Sequence, residues 1–89
     1  MKPFFIYILK CIDNSYYIGH TDDLEKRIAE YKLEDSPAIG KYVSERLPVE
    51  LVYYEQFATR VEALDAERKL KGWSRIKKET LIKNGFIIL

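Results

Sequence analysis

Cysteine, histidine, tryptophan and methionine each occur once in this chain, proline three times and glycine four times. A lone Cys11 cannot close an internal disulfide, and one thiol with one histidine is too few for a zinc site. The expectation is a reduced core thiol in an intracellular protein. So little glycine and proline excludes collagen-like and low-complexity architectures. No apolar run approaches the ~20 residues that span a bilayer, and no basic-then-apolar opening reads as a signal peptide. The reading is cytoplasmic, with no membrane contact. Charge of one sign is missing too, since the formal net charge is only +1. Walker loops, GxGxxG, zinc spacings and Ser-His-Asp arrangements are all absent.

What is present is aromatic. Seven tyrosines and four phenylalanines in 89 residues argue against disorder. That length fits one domain over residues 1–89 with one modest core. The charges are also unevenly placed. Residues 12–35 hold seven carboxylates against three cations, a net of −4, and residues 68–83 hold seven cations against Glu79, a net of +6. The second block suits phosphates, or simply a solvated helix face.

Periodicity predicts the elements. Phe4 to Cys11 is β-branched and aromatic, Asp13-Asn14-Ser15 is a turn cluster, and Tyr16 to His20 is a second short strand, so the pair reads as a hairpin. Thr21 or Asp22 caps a helix running to about Lys32, with Leu24, Ile28 and Tyr31 as its apolar stripe. Ser36-Pro37 opens a short helix or ordered loop over 38–46, which Pro48 ends. Val49 to Phe57 is apolar on both faces and reads as the central strand. Thr59 to Glu62 matches a capping box for a helix reaching Lys71, with Gly72 as its cap. Ser74 caps a last helix over 75–83, stopped at Asn84-Gly85, and Phe86 to Leu89 packs back on the core. The fold class is α+β: a three-stranded antiparallel sheet flanked by helices in the order β-β-α-α-β-α-α.

Four side chains carry candidate chemistry. Tyr7 and Tyr17 lie on paired strands whose cross-strand neighbours sit ~5 Å apart, so the hairpin can bring both hydroxyls to one surface point. Gly19, two residues beyond Tyr17, leaves room for a ligand's backbone. Arg27 lies at the edge of the buried stripe; it suits an ion pair with Asp23 or Glu30, or a fork aimed at a phosphate. Glu67 has Ala63, Leu64 and Leu70 as helical neighbours, so its carboxylate must be paired, hydrated or bound to a cation. Lys71 or a tyrosine is the simplest partner.

Phe5-Ile6-Tyr7, then Tyr17-Ile18-Gly19, then Arg27 on the following helix and Glu67 on a later one, resemble the GIY-YIG nuclease superfamily. The resemblance covers nearly the whole chain. It is closest to the small single-domain bacterial members, down to Tyr-Ile-Gly-His-Thr (17–21) and Trp73-Ser74-Arg75-Ile76-Lys77-Lys78-Glu79. It implies the three-stranded sheet and metal-dependent hydrolysis of a phosphodiester, with Tyr7, Tyr17, Arg27 and Glu67 catalytic. Glu67 would hold one Mg²⁺ or Mn²⁺. Gly19 would lie beside the scissile phosphate and Tyr31 would support Arg27. His20 and the basic residues Arg68, Lys69 and Lys71 complete the substrate contacts. Tyr17 is the favoured base, with Tyr7 positioning it or the water. A phenol, with an unperturbed pKa of ~10, needs help from its surroundings to act near pH 7. Two departures stand out: Phe5 replaces the family's first glycine, and Asn84 is the only candidate for its late asparagine.

The implied function is a DNA endonuclease of repair or recombination, acting on branched, damaged or single-stranded DNA, with RNA also open as substrate. The alternative is a nucleic-acid-binding module with little or no cleavage. A protein-interaction domain, using Tyr42, Tyr53, Tyr54 and Trp73 as exposed anchors for a protein partner or a second copy, is a third reading.

Overall fold

The computed structural model describes residues 2–33 and 39–87, with Phe86 and Ile87 described by their backbone alone. Strands β1 (Phe4–Lys10) and β2 (Tyr16–Thr21) form the expected hairpin, followed by helices α1 (Leu24–Lys32) and α2 (Lys41–Ser44). Strand β3 (Glu50–Phe57) and helices α3 (Arg60–Lys71) and α4 (Arg75–Ile87) complete the order. The sheet is antiparallel, in the order β2-β1-β3. No helix among the described residues is long and apolar enough to cross a membrane.

The central strand is β1, not β3 as its two apolar faces led one to expect. Ile6, Tyr7, Ile8 and Leu9 have no exposed surface, each contributing about 1.5–3 kcal/mol by leaving water. Strand β3 lies at the edge, where Glu50, Tyr54, Glu55 and Gln56 remain exposed. Its alternation also breaks, because a bulge opposite Ile8 and Leu9 pairs them with Tyr53 and Leu51. That extra residue lets Val52 and Tyr53, adjacent in sequence, pack on the same cluster.

The sheet divides the core in two. Ile6, Ile8, Ile18 and Tyr53 pack under α3 and α4 through Ala63, Leu70, Leu81 and Ile82. Tyr7, Leu9 and Tyr17 face the other way, under Ile28 and Tyr31 of α1 and Val43 of α2. Sequence neighbours on one strand therefore serve opposite cores.

Helix ends follow local chemistry. The cap of α1 is Asp23, one residue beyond the two candidates, and its carboxylate accepts from the Lys26 N–H at 3.1 Å. Thr21 instead accepts from the Asp23 N–H at 3.1 Å and so holds the cap in place. The Thr59–Glu62 capping box forms in full, and Ser74 accepts from the Lys77 N–H at 3.2 Å. Helix α2 is shorter than the 38–46 span, and Ser36-Pro37 lies outside the described residues, as does the end of the apolar tail.

Helix α4 does not stop at Asn84-Gly85 but runs through it to Ile87. No described glycine has a positive φ, so Gly85 is not a turn residue. Its missing side chain matters for another reason: a Cβ there would collide with the Tyr53 ring, and Tyr53 is only 8% exposed. Gly85→Ala should therefore lower stability by about 1–3 kcal/mol through overpacking, against the ~1 kcal/mol that helix propensity alone favours. Chemical denaturation of the two proteins gives the sign.

Candidate active site

Tyr7 stands directly opposite Gly19 in the β1–β2 ladder. With no side chain at Gly19 the phenol lies over the neighbouring strand; a Cβ there would come 2.5 Å from the Tyr7 hydroxyl. That hydroxyl is buried and pairs with the Tyr31 hydroxyl at 2.8 Å, the two rings meeting edge to face at 6.2 Å. Burial, then the bond to Tyr31, pushes the Tyr7 phenol far above its ordinary value. Burial also raises the Tyr31 phenol.

One turn before Tyr31, α1 carries Arg27. Burial opposes its charge, but hydrogen bonding and the electrostatic influence of Tyr7 and Tyr31 outweigh it, so its proton is held more firmly than usual. Its Nε donates to Glu30 at 3.2 Å, which realises one of the two expected ion pairs. One third of the side chain stays in solvent, at 33% exposure.

Tyr17 is diagonal to Tyr7, since its direct partner is Leu9. The two rings are 6.5 Å apart and tilted by 44°. The hairpin thus unites the phenols without bringing both to the surface: Tyr7 has no exposed area and Tyr17 is half-buried. Tyr42 of α2 stacks on Tyr17 at 6.0 Å.

Glu67 lies on the other face of the sheet, where α3 packs on β1 and β2. Its carboxylate meets His20 Nδ1 at 3.0 Å and Lys71 Nζ at 3.5 Å, with 13% of the side chain exposed. Lys71 was an anticipated partner. His20 was not, although a carboxylate on an apolar stripe signals that some polar partner must arrive from elsewhere. Strand alternation explains it, because Tyr17 and Gly19 point to one face and His20 to the other.

The two groups share no hydrogen bond among the described residues, and one surface takes only Tyr17 from the first and Lys71, the partner of Glu67, from the second; Tyr7, Arg27 and Glu67 do not line it. A shallow concavity of about 400 Å³ wraps the edge of β2, lined by Tyr16, Tyr17, Ile18, Tyr42, Lys71 and Lys78. Tyr17 enters it from the α1 side and Lys71, bound to Glu67, from the α3 side. Arg68 is exposed beside Asp65 at 3.8 Å, and Lys69 lines a separate groove with Glu62, Asp65 and Trp73; neither reaches this concavity. Lys78 and Tyr42 do, although the sequence pattern did not single them out for it. Of the four proposed docking anchors, Tyr53 is buried and Trp73 has Lys77 over its ring at 4.3 Å.

Among the described residues no group of three or more His, Cys, Asp and Glu could form a metal cage. The donor set instead suits an ion that takes one carboxylate and keeps its waters, as Mg²⁺ does. Glu67 offers that single hard oxygen donor, held in direction by His20.

Comparison with known proteins follows the same lines. The family model described as the GIY-YIG catalytic domain matches residues 3–80. A UPF0213 protein of Staphylococcus saprophyticus is 45% identical over 85 residues, spanning 96% of this chain and 100% of its own. Another, from Bacillus pumilus, is 44% identical over 79 residues, spanning 89% and 78%. The solution NMR structure of an E. faecalis protein superposes with a TM-score of 0.64 at 32% identity, covering 98% of this chain and 90% of that one. That of a UPF0213 protein from Bacillus halodurans gives 0.58 at 36% identity, covering 91% and 83%.

The buried phenol makes a testable demand on pH. Below the ordinary tyrosine value of 10.0 both folded and unfolded chains keep the Tyr7 proton, and its contribution is constant. Above it the unfolded chain releases the proton and the folded one does not, so stability falls as pH rises, by up to about 1.4 kcal/mol per unit for this group. Tyr53, whose phenol is also raised by burial and by Glu55, adds to the slope. Denaturation midpoints from about pH 8 to about pH 11 should decline, and Tyr7→Phe should flatten that decline while lowering the plateau.

Proposed function

Since the chain belongs to the GIY-YIG family, a nuclease superfamily whose catalytic-domain model spans residues 3–80, we propose that it is a divalent-metal-dependent endonuclease that hydrolyses phosphodiester bonds in DNA. The observation carrying this reading is the concavity at the edge of β2, lined by Tyr17 from one face of the sheet and by Lys71, the partner of Glu67, from the other.

Each residue has a role that its surroundings support. Glu67 would hold the cation. A bound Mg²⁺ or Mn²⁺ supplies positive charge to a phosphate oxygen and to the leaving 3′ oxygen. Arg27 offsets the charge that grows on the phosphate in the transition state. Tyr17, open to the concavity, takes the proton of the attacking water once its own proton has passed to solvent, a loss that the bound cation and Arg27 would favour. Tyr7 is sealed from solvent and its phenol is too weak an acid to become a base; it positions Tyr31 and Arg27 instead. Gly19 serves through Tyr7, whose ring fills the space that a side chain there would take, and not as room for the phosphate. Lys71, Lys78 and Arg75 meet backbone phosphates, contacts that carry no sequence information. Selection then rests on shape, in branched, damaged or single-stranded DNA, with repair or recombination in the cytoplasm as the setting.

One observation favours a second reading. Only 13% of the Glu67 side chain is exposed and both carboxylate oxygens already have basic partners, as they would in a binding module that does not cut. Plasmid nicking with Mg²⁺ or Mn²⁺ decides between them. The endonuclease reading expects Glu67→Ala, Arg27→Ala and Tyr17→Phe each to reduce cleavage about 100-fold or more, while mobility shifts with Glu67→Ala show DNA still bound. A wild-type protein that binds DNA and never nicks it would establish the second reading.

A further inference from the structure

The β1–β2 turn is gripped from both faces of the sheet. Asn14 adopts a φ of 68°, and its carbonyl accepts from Arg75 Nη1 at 2.6 Å, with the same guanidinium 4.6 Å over the Tyr16 ring. From the opposite side Arg46 donates through Nε to Asp13 at 3.0 Å. The Arg46 carbonyl accepts from the Ile12 N–H at 3.1 Å. Asp13 is itself fixed by Ser15, whose hydroxyl donates to it at 2.6 Å and whose N–H donates at 3.0 Å.

Arg46 also does something the turn does not need. Its guanidinium lies 3.7 Å over the centre of the Tyr42 ring, and its Nη1 donates to the Tyr42 carbonyl at 2.9 Å. Tyr42 in turn stacks on Tyr17, with 27° between the rings at 6.0 Å. Asp13, Arg46, Tyr42 and Tyr17 thus form one continuous layer, anchored at one end in the hairpin turn and ending on a tyrosine of the concavity. Tyr7 bounds Tyr17 on its other side at 6.5 Å.

We propose that Arg46 and Tyr42 are positioning residues that brace the Tyr17 ring, so that its hydroxyl meets the attacking water in one orientation. The proposal rests on the reading of Tyr17 as the base. It follows from elementary constraints. A half-buried phenol on an edge strand has only packing to fix its χ angles, and proton transfer is sensitive to displacements of about 1 Å. A planar guanidinium can stack on the ring and hold a carboxylate at the same time, which a lysine ammonium cannot. Tyr42 supplies a flat surface, and nothing in this arrangement uses its hydroxyl.

The test has two arms. Tyrosine labelled with ¹³C in the ring reports the Tyr17 flip rate without any need for activity. Tyr42→Ala and Arg46→Lys should speed the flips and shift the Tyr17 resonance, whereas Tyr42→Phe should leave both unchanged. In nicking assays Tyr42→Ala should lower kcat roughly tenfold with KM altered less than about twofold, and Tyr42→Phe should restore it. Arg46→Lys added to Tyr42→Ala should cost little more, because both act through one contact. Thermal midpoints show whether each variant is folded. An unchanged Tyr17 resonance in folded Tyr42→Ala overturns the brace, and so does a Tyr42→Phe variant as impaired as Tyr42→Ala. A wild-type protein that does not cut refutes the nuclease reading instead, and the flip rates still decide whether the ring is braced.

Discussion

A tyrosine can be buried completely only if something takes its hydroxyl and something else leaves space for its ring. In this fold Gly19 provides the space and Tyr31 takes the hydroxyl. The consequences spread outward. An unpaired buried hydroxyl costs about 1–3 kcal/mol, so the Tyr7–Tyr31 bond dictates how α1 sits on the sheet. Once α1 is docked by Tyr31, Arg27 is carried to the same spot, since residues one turn apart share a helix face. The guanidinium is then held beside two phenols that favour its charge. A structural requirement of the core thereby orients a cation.

The sheet that organises this cluster also separates it from Glu67. Strand alternation sends Tyr7, Tyr17 and Gly19 toward α1 and α2, and Ile6, Ile18 and His20 toward α3. The two halves could be neighbours in sequence and still never touch. Of the cluster and the Glu67 group, only Tyr17 and Lys71 come to a common surface, because β2 is an edge strand, and side chains from both faces can reach round an edge where no further strand intervenes. An edge usually invites unwanted pairing. Here Tyr16, Tyr17, Tyr42, Lys71 and Lys78 crowd it, and that same crowding shapes the concavity.

Much of this was legible from the chain because it is local. The hairpin, the Thr59–Glu62 box and the apolar stripe of α1 follow from spacing over a few residues. Glu67 declared itself as a carboxylate in apolar company, which required a partner without naming it. What stayed hidden depends on tertiary packing. Strand β3 is as apolar in places as β1, and only the Glu55–Gln56 end marks it as an edge. Gly85 looks like a helix stop until the Tyr53 ring is seen against it. His20 sits beside Gly19, and nothing nearby in sequence points it at a residue on α3. The Asp13–Arg46–Tyr42–Tyr17 layer joins a turn, a four-residue helix and a strand, with no periodicity to announce it.

The surroundings of Glu67 bear on how a covered carboxylate can still serve a reaction. Its two partners are unequal. His20 lies on the sheet with 34% of its side chain exposed, while Lys71 reaches from one helical turn away and is 58% exposed. The Lys71 ammonium is already largely hydrated, so its departure costs Lys71 little; the cost falls on Glu67, which is 13% exposed and then keeps only His20. A phosphate entering the concavity offers that ammonium a better-matched anion than a carboxylate already held by His20. Its departure would uncover one carboxylate oxygen while His20 kept the other in place. In the proposed endonuclease, substrate and cation would then not compete for Glu67: the phosphate's claim on Lys71 would open the oxygen that a cation would take.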